Sequence, residues 1–298
     1  MSGLDQRITA CIPYYGCGKY IRRAVECLLA QTHRNISVVI VNDGDPDPPW
    51  RWLADIDDPR LVRFNLSGNH GPYLATAVVL NSTPAPYFLI QDADDWSLPG
   101  RAECLLDRLE RDGSDFAISA QIHYSETPAG SSPAVVRWSA VSNNGAAQGA
   151  FVVRPRLTPE FAYRAPHHGL FRTASVRRVG GYYGGYRVSY DAMLTNLILM
   201  TGRVSHVPEP FYYHMVRPGS LTRSAATGMK SSFRQETERA IARLYKRCYD
   251  HYLDYLAGKI NSSQLASAIR RSVLSNIPAG DARQLETETA RLRQQLST

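Results

Sequence analysis

The chain has 298 residues, 44% of them hydrophobic and 20% charged, and a formal net charge of +7. This composition excludes a disordered or fibrous chain and is typical of a globular protein with a sizeable core. The basic residues are not gathered in one tract, which gives nucleic-acid binding little support. A phosphate-bearing small substrate explains the excess equally well, and so does simple solubility.

The cysteines and the apolar runs indicate the cellular compartment in which we expect the protein. The chain has 5 cysteines at irregular spacings and no Cys-x-x-Cys pair, so we expect neither a disulfide framework nor a zinc site. A reducing cytoplasm fits this pattern best. The N-terminal MSGLDQRITACIPYY lacks the charged-then-apolar pattern of a signal peptide. No apolar run approaches the roughly eighteen residues of a membrane span, so we expect no transmembrane segment.

The first part of the chain alternates strand-like and helix-like segments. Apolar runs predict strands at residues 8–12 (ended by Pro13), 36–41, 61–65 and 87–91. Composition and apolar spacing predict helices at residues 20–31, 50–56 and 73–81. This alternation predicts a parallel α/β sheet, in which ligands bind beyond the carboxyl ends of the strands.

The remaining segments are less regular. We expect a helix at 98–111, a strand at 116–124, loops at 127–133 and 142–149, a helix at 190–200 and a strand at 204–207. Apolar residues at helical spacing then predict helices at 233–257, 263–274 and 283–296. For the last of these, a frayed terminal helix is favoured over a contact between two copies of the chain.

Polar turns follow three of the predicted strands: PYYG at 13–16, NDGD at 42–45 and DADD at 92–95. Three carboxylates within four residues raise one another's pKa unless positive charge lies among them. A solvated turn before the next helix is the ordinary interpretation, and a cation site is the alternative. The first loop, PYYGCGK, lacks the glycine spacing of a Rossmann or a Walker A loop.

The order of these motifs resembles that of the family 2 glycosyltransferases, GT-A fold enzymes that use nucleotide sugars. Three blocks carry the resemblance: ITACIPYYGCGKYIRRAVECLLAQTHRNISVVIVNDGDPD, NHGPYLATAVVLNSTPAPYFLIQDADDWSLPGR and GGYYGGYRVSYDAMLTNLILMTGRVSHVPEPFYYHMVRPGSLT. Together they cover most of residues 7–223. The resemblance implies a GT-A domain, with a mostly parallel sheet flanked by helices. Its donor-binding half would be residues 1–125 and its acceptor-binding half residues 126–224, followed by a C-terminal helical extension at 225–298.

The resemblance also implies roles for the three acids. Asp92-Ala93-Asp94 matches the family's DXD motif, with Asp94 on a Mn²⁺ or Mg²⁺ ion and Asp92 at the ribose or sugar hydroxyls. Asp95 either binds sugar hydroxyls or caps the next helix. The cation would neutralise the charge that grows on the diphosphate leaving group.

Other positions match the family's donor and metal residues. Asp43 would accept an N–H from the nucleobase, His214 would complete the metal shell, and Arg217 would contact the diphosphate; a structural role is equally open for the last two. For Arg101, pairing with surface acids is favoured over phosphate binding. The implied set beyond the DXD motif is Pro13, Tyr14, Tyr15, Asp43, Asn69, Gly71, His214 and Arg217.

An inverting transferase also needs a base that takes the proton of the acceptor hydroxyl. By the family's spacing from the Gly202-Arg203-Val204 landmark, that base is Asp191; an aspartate at a helix N-terminus is the alternative. Its neighbour Tyr190 stands where the family has Glu. Tyr190, His167 and His168 are implied on the acceptor side. Because neighbours on a strand point to opposite faces, we expect one histidine at most in the cleft.

The resemblance therefore implies a metal-dependent, inverting hexosyl- or N-acetylhexosaminyl-transferase. It would use an NDP-sugar, with UDP favoured, and a hydroxyl acceptor on a small molecule, a natural product or a glycan. Two alternatives stay open: a non-catalytic protein that binds sugar nucleotides or carbohydrates, and a nucleotidyltransferase. Peripheral membrane contact and a homodimer, both through the C-terminal helices, are also open.

Overall fold

The computed structural model describes residues 6–125, 135–138, 151–153, 157–160 and 167–297. The strands are β1 (Ile8–Tyr14), β2 (Ile36–Asn42), β3 (Leu61–Asn65), β4 (Tyr87–Ile90), β5 (Trp96–Ser97), β6 (Phe116–Ser125), β7 (Val135–Trp138), β8 (Phe151–Val153), β9 (Gly169–Arg172) and β10 (Val204–Val216). The helices are α1 (Gly18–Leu29), α2 (Pro72–Ser82), α3 (Arg101–Asp112), α4 (Thr173–Arg178), α5 (Tyr190–Thr201), α6 (Ser232–Leu256), α7 (Ser262–Leu274) and α8 (Ala279–Leu296), with a 3-10 helix at Pro49–Leu53. The loops predicted at 127–133 and 142–149 lie outside the described residues.

One mixed sheet organises the chain, in the strand order β3-β2-β1-β4-β9-β6-β10-β5. Strands β3, β2, β1 and β4 run parallel, and β10 runs parallel to β6. Strand β9 is inserted antiparallel between β4 and β6. Strand β7 pairs with β6, and β8 pairs with β10. The predicted α/β sheet is therefore confirmed, with the antiparallel β9 as an element that alternation alone did not predict.

Apolar cores lie on both faces of the sheet. Strand β2 shows why its sequence is a continuous apolar run: Val38 and Ile40 face one core, while Val39 and Val41 face the other. Helices α1 and α3 cover the first face. Helices α2 and α5 cover the second, together with apolar residues of α6, α7 and α8. The three C-terminal helices thus share a core with the sheet.

Two strand predictions were wrong in length. Strand β1 does not end at Pro13 but continues to Tyr14, because Pro13 lies beyond the β4 pairing, which stops at Cys11. The missing N–H faces the side on which β4 has already ended, so no ladder bond is lost. Strand β10 extends to Val216 rather than residue 207, and its register with β6 shifts around Pro210. These shifts hide the strand from a period-two pattern.

Helix α8 is docked rather than frayed, so that prediction was wrong. Leu292 is fully buried in the core on the α2 face. Ser82 Oγ of α2 donates to Thr289 O (3.2 Å), and Glu288 accepts from Ser67 N (3.0 Å). The helix is therefore fixed by polar and apolar contacts along one side. Among the described residues, none of the helices is long and apolar enough to cross a membrane.

Leu292→Ala should lower the free energy of unfolding by about 2–5 kcal/mol, because the truncation leaves a cavity between α8 and α2. Urea unfolding measures the loss. Leu296→Ala is the control on the same helix: Leu296 is 38% exposed, and we expect a loss below about 1 kcal/mol. Equal losses at the two positions would contradict the docking of α8.

Candidate active site

The carboxyl ends of β1, β2 and β4 lie at one edge of the sheet, and the sequence motifs meet there. Residues 92–95 follow β4 directly. Because β9 is antiparallel, its start lies at the same edge and brings His167 and His168 to the acids. Contacts between an acid and a basic side chain join the elements across the cleft: Asp92 with His168, Asp94 with Arg217, Asp95 with His214, and Asp191 with His167.

Asp95 is fully buried and accepts three hydrogen bonds. The donors are Tyr212 Oη (2.6 Å), His214 Nδ1 (3.0 Å) and Met215 N (2.6 Å), all from β10. The carboxylate therefore fastens the β4 loop to β10. Neither predicted role fits: its oxygens are not open to a sugar, and α3 starts only at Arg101, with Gly100 at the N-cap.

Asp94 keeps one oxygen open. Its Oδ2 accepts from Arg217 Nε at 2.6 Å, while Oδ1 accepts no hydrogen bond from a described residue. Burial, together with the neighbouring Asp95 and Asp92, raises the pKa of Asp94 to about 6, although Arg217 opposes the shift. Arg217 also donates to Cys17 Sγ at 2.9 Å. The carboxylate therefore carries its own cation in this structure.

Asp92 is held by a neutral histidine. Gln121 Nε2 donates to His168 Nδ1 (3.3 Å), so the proton of the ring lies on Nε2 and is donated to Asp92 Oδ2 (2.9 Å). Burial lowers the pKa of His168 to about 4, with the adjacent His167 adding to the effect. The ring also stacks on Tyr212, with centroids 4.4 Å apart. This contact fixes Asp92 through Oδ2 and leaves Oδ1 open.

Both histidines face the cleft, so the expectation of one at most was wrong. Gly169 N donates to His167 O at 2.8 Å, which closes a three-residue turn just before β9 begins. The turn breaks strand alternation, and the two rings lie side by side with centroids 4.0 Å apart. A Cβ on Gly169 would come 2.3 Å from Ala117 O, so glycine is required at this turn.

Asp191 lies in the first turn of α5, with both oxygens engaged. Tyr73 Oη donates to Oδ1 (2.6 Å), and His167 Nδ1 lies 3.3 Å from Oδ2. Burial raises the pKa of Asp191, but these two partners lower it more, so the net pKa lies well below its usual range. Sequence reasoning missed Tyr73. Its position in the first turn of α2, at the same edge of the sheet, is the signal that identifies it.

Tyr190 does not reach the cleft, so the predicted acceptor contact was wrong. Its ring is fully buried and packs edge-on against Tyr73, with centroids 6.1 Å apart. A Cβ on Gly184 would come 2.3 Å from the Tyr190 ring. Successive helix residues point about 100° apart, so Asp191 faces the cleft and Tyr190 the core.

The carboxylate of Asp43 is buried and accepts hydrogen bonds from the loop that precedes α2. It is 2% exposed, and its two oxygens accept from His70 N (2.7 Å) and Gly71 N (2.8 Å). Arg187 donates hydrogen bonds to the same loop, at Asn69 Oδ1 (2.9 Å) and His70 O (3.3 Å). The contact of Asp43 with a nucleobase stays a prediction, because each of its oxygens accepts one hydrogen bond here and can accept another. Burial raises the pKa of Asp43 to about 6, against the two N–H groups, which lower it.

A cavity of about 490 Å³ opens beside these loops. Of the predicted base neighbours, Tyr14 lines it, and its hydroxyl donates to Asp47 O (3.1 Å). Neither of the other two lines the cavity: Tyr15 is 51% exposed, and Pro13 is half-buried. The sequence prediction missed several lining residues: Lys19, Tyr20, Asp45 and Trp52.

Arg101 is fully buried beneath the acids. It donates to Gln91 Oε1 (3.0 Å) and Ile90 O (2.8 Å), and its guanidinium lies 4.5 Å from the centre of the Tyr212 ring. Both predicted roles, phosphate binding and surface pairing, were wrong. Burial lowers the pKa of Arg101, and the nearby acids oppose that shift.

The donor set fits a hard divalent cation. Asp92, Asp94 and Asp95 each place an oxygen within 4.8 Å of the others. Since Asp95 is fully buried and accepts three hydrogen bonds, Asp92 Oδ1 and Asp94 Oδ1 are the oxygens open to an ion, as in sites that complete the shell with water and phosphate. The ligand role of His214 stays a prediction: its Nδ1 lies 3.0 Å from Asp95 Oδ2, and a histidine that binds a metal commonly donates its other ring N–H to a carboxylate.

Comparison with known proteins agrees with this geometry. Residues 9–179 match the family model "Glycosyl transferase family 2". The glycosyltransferase GlyA of Streptococcus pneumoniae is 27% identical over 126 residues, which cover 42% of this chain and 18% of GlyA. Chondroitin synthase of Escherichia coli is 36% identical over 103 residues, or 34% of this chain and 15% of that protein. The chain thus corresponds to a fraction of the length of these relatives.

The solved structures show the same fold. Staphylococcus aureus TarS has a TM-score of 0.55 at 17% identity, covering 89% of this chain and 42% of TarS. Residues 1–349 of TarS in complex with UDP-GlcNAc give 0.55 at 16% identity, covering 97% and 92%. The predicted GT-A fold is confirmed by these similarities.

Asp43→Asn should change how stability depends on pH. The pKa of Asp43 rises from 3.8 to about 6 on folding, so the folded chain binds this proton more tightly. Its contribution to the free energy of unfolding therefore falls as the pH rises from about 4 to about 6. Over that interval the wild type should lose on the order of 2 kcal/mol relative to the variant, and the difference should then stay level.

Urea unfolding of both proteins across this pH range measures the difference. Asp57→Asn is the control, since Asp57 is exposed and accepts no hydrogen bond from a described residue. A wild-type curve that stays parallel to that of Asp43→Asn would contradict the burial of the ionised carboxylate.

Proposed function

The chain belongs to glycosyltransferase family 2, and we propose that it transfers a sugar from an NDP-sugar to a hydroxyl acceptor with inversion of configuration. The observation that carries this proposal is the meeting of Asp92 and Asp94 with Asp191 in one cleft, bridged by His168 and His167. UDP is the favoured nucleotide, since TarS was solved with UDP and with UDP-GlcNAc. Hexosyl or N-acetylhexosaminyl transfer to a small molecule, a natural product or a glycan fits this class.

Asp191 is proposed as the general base. Its low pKa keeps it ionised at neutral pH, so it is ready to accept the proton of an acceptor hydroxyl. Tyr73 and His167 fix the orientation of the carboxylate, which a base needs in order to meet an attacking oxygen in line. Asp191 outweighs the effect of burial and raises the pKa of His167, so this contact favours the protonated ring.

Asp92 and Asp94 are proposed to hold a Mn²⁺ or Mg²⁺ ion through their open oxygens. The ion would supply charge stabilisation to the diphosphate leaving group. Arg217, which now pairs with Asp94 at 2.6 Å, has further N–H groups for the same diphosphate. The cavity lined by Tyr14, Tyr20 and Trp52 is proposed to take the nucleoside, with aromatic faces for the base.

The predicted division into a donor half at 1–125, an acceptor half at 126–224 and helices from 225 onward is kept as a proposal. The acids and the nucleoside cavity draw mainly on the first part. Asp191 and the two histidines come from the second. A cytoplasmic location, a dimer through the C-terminal helices and membrane contact remain predictions.

Asp191→Asn should still bind donor but turn over roughly 10²–10⁴-fold more slowly, because the amide cannot accept the acceptor proton. Release of UDP from UDP-GlcNAc and other UDP-sugars measures turnover, and thermal shift measures binding. Tyr190→Phe is the matched neighbour control: its buried hydroxyl has no hydrogen-bond partner among the described residues, so turnover should not change. Full turnover in Asp191→Asn would refute the assignment.

Asp94→Asn should remove the part of UDP binding that depends on the cation. We expect UDP with Mn²⁺ to raise the Tm of the wild type more than UDP alone, and the variant to show no such difference. The screen includes GDP and dTDP, which tests the choice of base. Asp95→Asn should instead lower the Tm of the free protein, because the amide has one acceptor oxygen in place of two and cannot accept all three buried hydrogen bonds. If Asp94→Asn keeps the Mn²⁺ effect, the metal assignment is wrong.

A further inference from the structure

A second cavity lies at the opposite edge of the sheet from the candidate active site. Its volume is about 500 Å³, and residues from the end of α2, from α4 and from α7 and α8 line it. Helix α2 has 11 residues and spans about 16 Å from the Asp43 loop to this cavity. Thr173 N donates to Pro86 O just before β4 begins, which places α4 at the amino end of the parallel strands. The two cavities are therefore separate.

The lining of this second cavity is basic. It includes Arg177, Arg270 and Arg293 and contains no Asp or Glu. In the nucleoside cavity, by contrast, Asp45 and Asp47 face Lys19 and Arg217. Of these two cavities, the second has arginines in its lining and no lining acid.

Two of these arginines are held in place by the backbone. Arg177 Nη2 donates to Leu80 O (2.5 Å) and Thr83 O (2.6 Å), and Arg293 Nη2 donates to Asn81 O (2.7 Å). These bonds satisfy carbonyl groups at the end of α2 and explain part of the arginine content. Each guanidinium has five N–H donors, so most of them are left for another acceptor. The bonds also fix the guanidinium groups, which reduces the entropy lost when a ligand binds.

Helix capping does not explain the whole cluster. Arg270 lies on α7 and makes no hydrogen bond or ion pair with a described residue. Burial lowers the pKa of Arg177, and the nearby Arg293 lowers it further. Like charges brought together in this way disfavour one another, and a bound anion would offset that repulsion.

We propose that this cavity binds a small sugar phosphate, with the phosphate held by Arg177, Arg270 and Arg293. Guanidinium groups match the geometry of phosphate oxygens, and charge-assisted hydrogen bonds of this kind are the strong ones. The volume falls within the range of small-molecule sites. The side chain of Asn81 makes no hydrogen bond with a described residue and offers an amide to a sugar hydroxyl. The site is independent of the transfer reaction proposed above.

Calorimetric titration with a hexose 1-phosphate and with inorganic pyrophosphate tests the proposal. Divalent cations are left out, so that the acids of the active site repel these anions. The wild type should bind, and Arg270→Ala together with Arg293→Gln should weaken binding by at least roughly tenfold. Arg271→Ala is the matched control on the same helix: Arg271 is exposed, as Arg270 is, but does not line the cavity.

Arg270→Ala alone removes no hydrogen bond or ion pair with a described residue, so its folding should not change, and it should weaken binding by itself. Asp94→Asn should leave the binding intact, which separates this site from the active site. The proposal fails if the wild type does not bind the hexose phosphate, if the double variant binds like the wild type, or if Asp94→Asn abolishes binding. Capture by phosphatidylglycerol vesicles that needs Arg270, without binding of the hexose phosphate, would also overturn it in favour of a lipid surface.

Discussion

The three carboxylates after β4 are the constraint on which the rest of the site depends. Their mutual repulsion requires positive charge nearby, and three basic side chains supply it. Arg101 lies fully buried below them and stacks on Tyr212, whose hydroxyl donates to Asp95. His214 and Arg217 cover the acids from β10. A buried guanidinium is costly unless it is compensated, and its hydrogen bonds to Gln91 and Ile90 anchor it directly under the loop that carries the acids.

This arrangement assigns the acids different tasks. The carboxylate of Asp95 accepts its hydrogen bonds from β10 and so fixes the position of that strand. Asp92 and Asp94 each keep an open oxygen. Strand β10 can reach the β4 loop because its register shifts around Pro210 let it change course while it remains paired with β6. The placement of the open oxygens of Asp92 and Asp94 is thus a consequence of strand packing. The ion pair between Arg217 and Asp94 offsets part of the negative charge of the three acids.

The local sequence pattern predicted features that depend on one strand or one helix. It did not predict features that depend on contacts between two elements. The run at residues 36–41 predicted β2 because burial on both faces leaves an unbroken apolar sequence. The position of Asp191 followed from the spacing of a family motif. The burial of Asp95 and Arg101 could not be predicted, because it depends on β10, more than a hundred positions away in the chain. The same holds for His167 and His168, since a turn closed by Gly169, and not strand alternation, directs both rings into the cleft.

The turn at His167 and His168 connects the two sides of the cleft. The neutral His168 holds Asp92 on the proposed donor side, and the adjacent His167 pairs with Asp191 on the proposed acceptor side. The backbone of Gly169 lies so close to Ala117 O of β6 that a side chain would not fit. Strand β6 therefore supports the histidines through this close approach and through Gln121, which donates to His168 Nδ1 (3.3 Å). The separation of the proposed base from the proposed donor site is then set by rigid sheet backbone, which is what a reaction requiring in-line approach of two substrates needs.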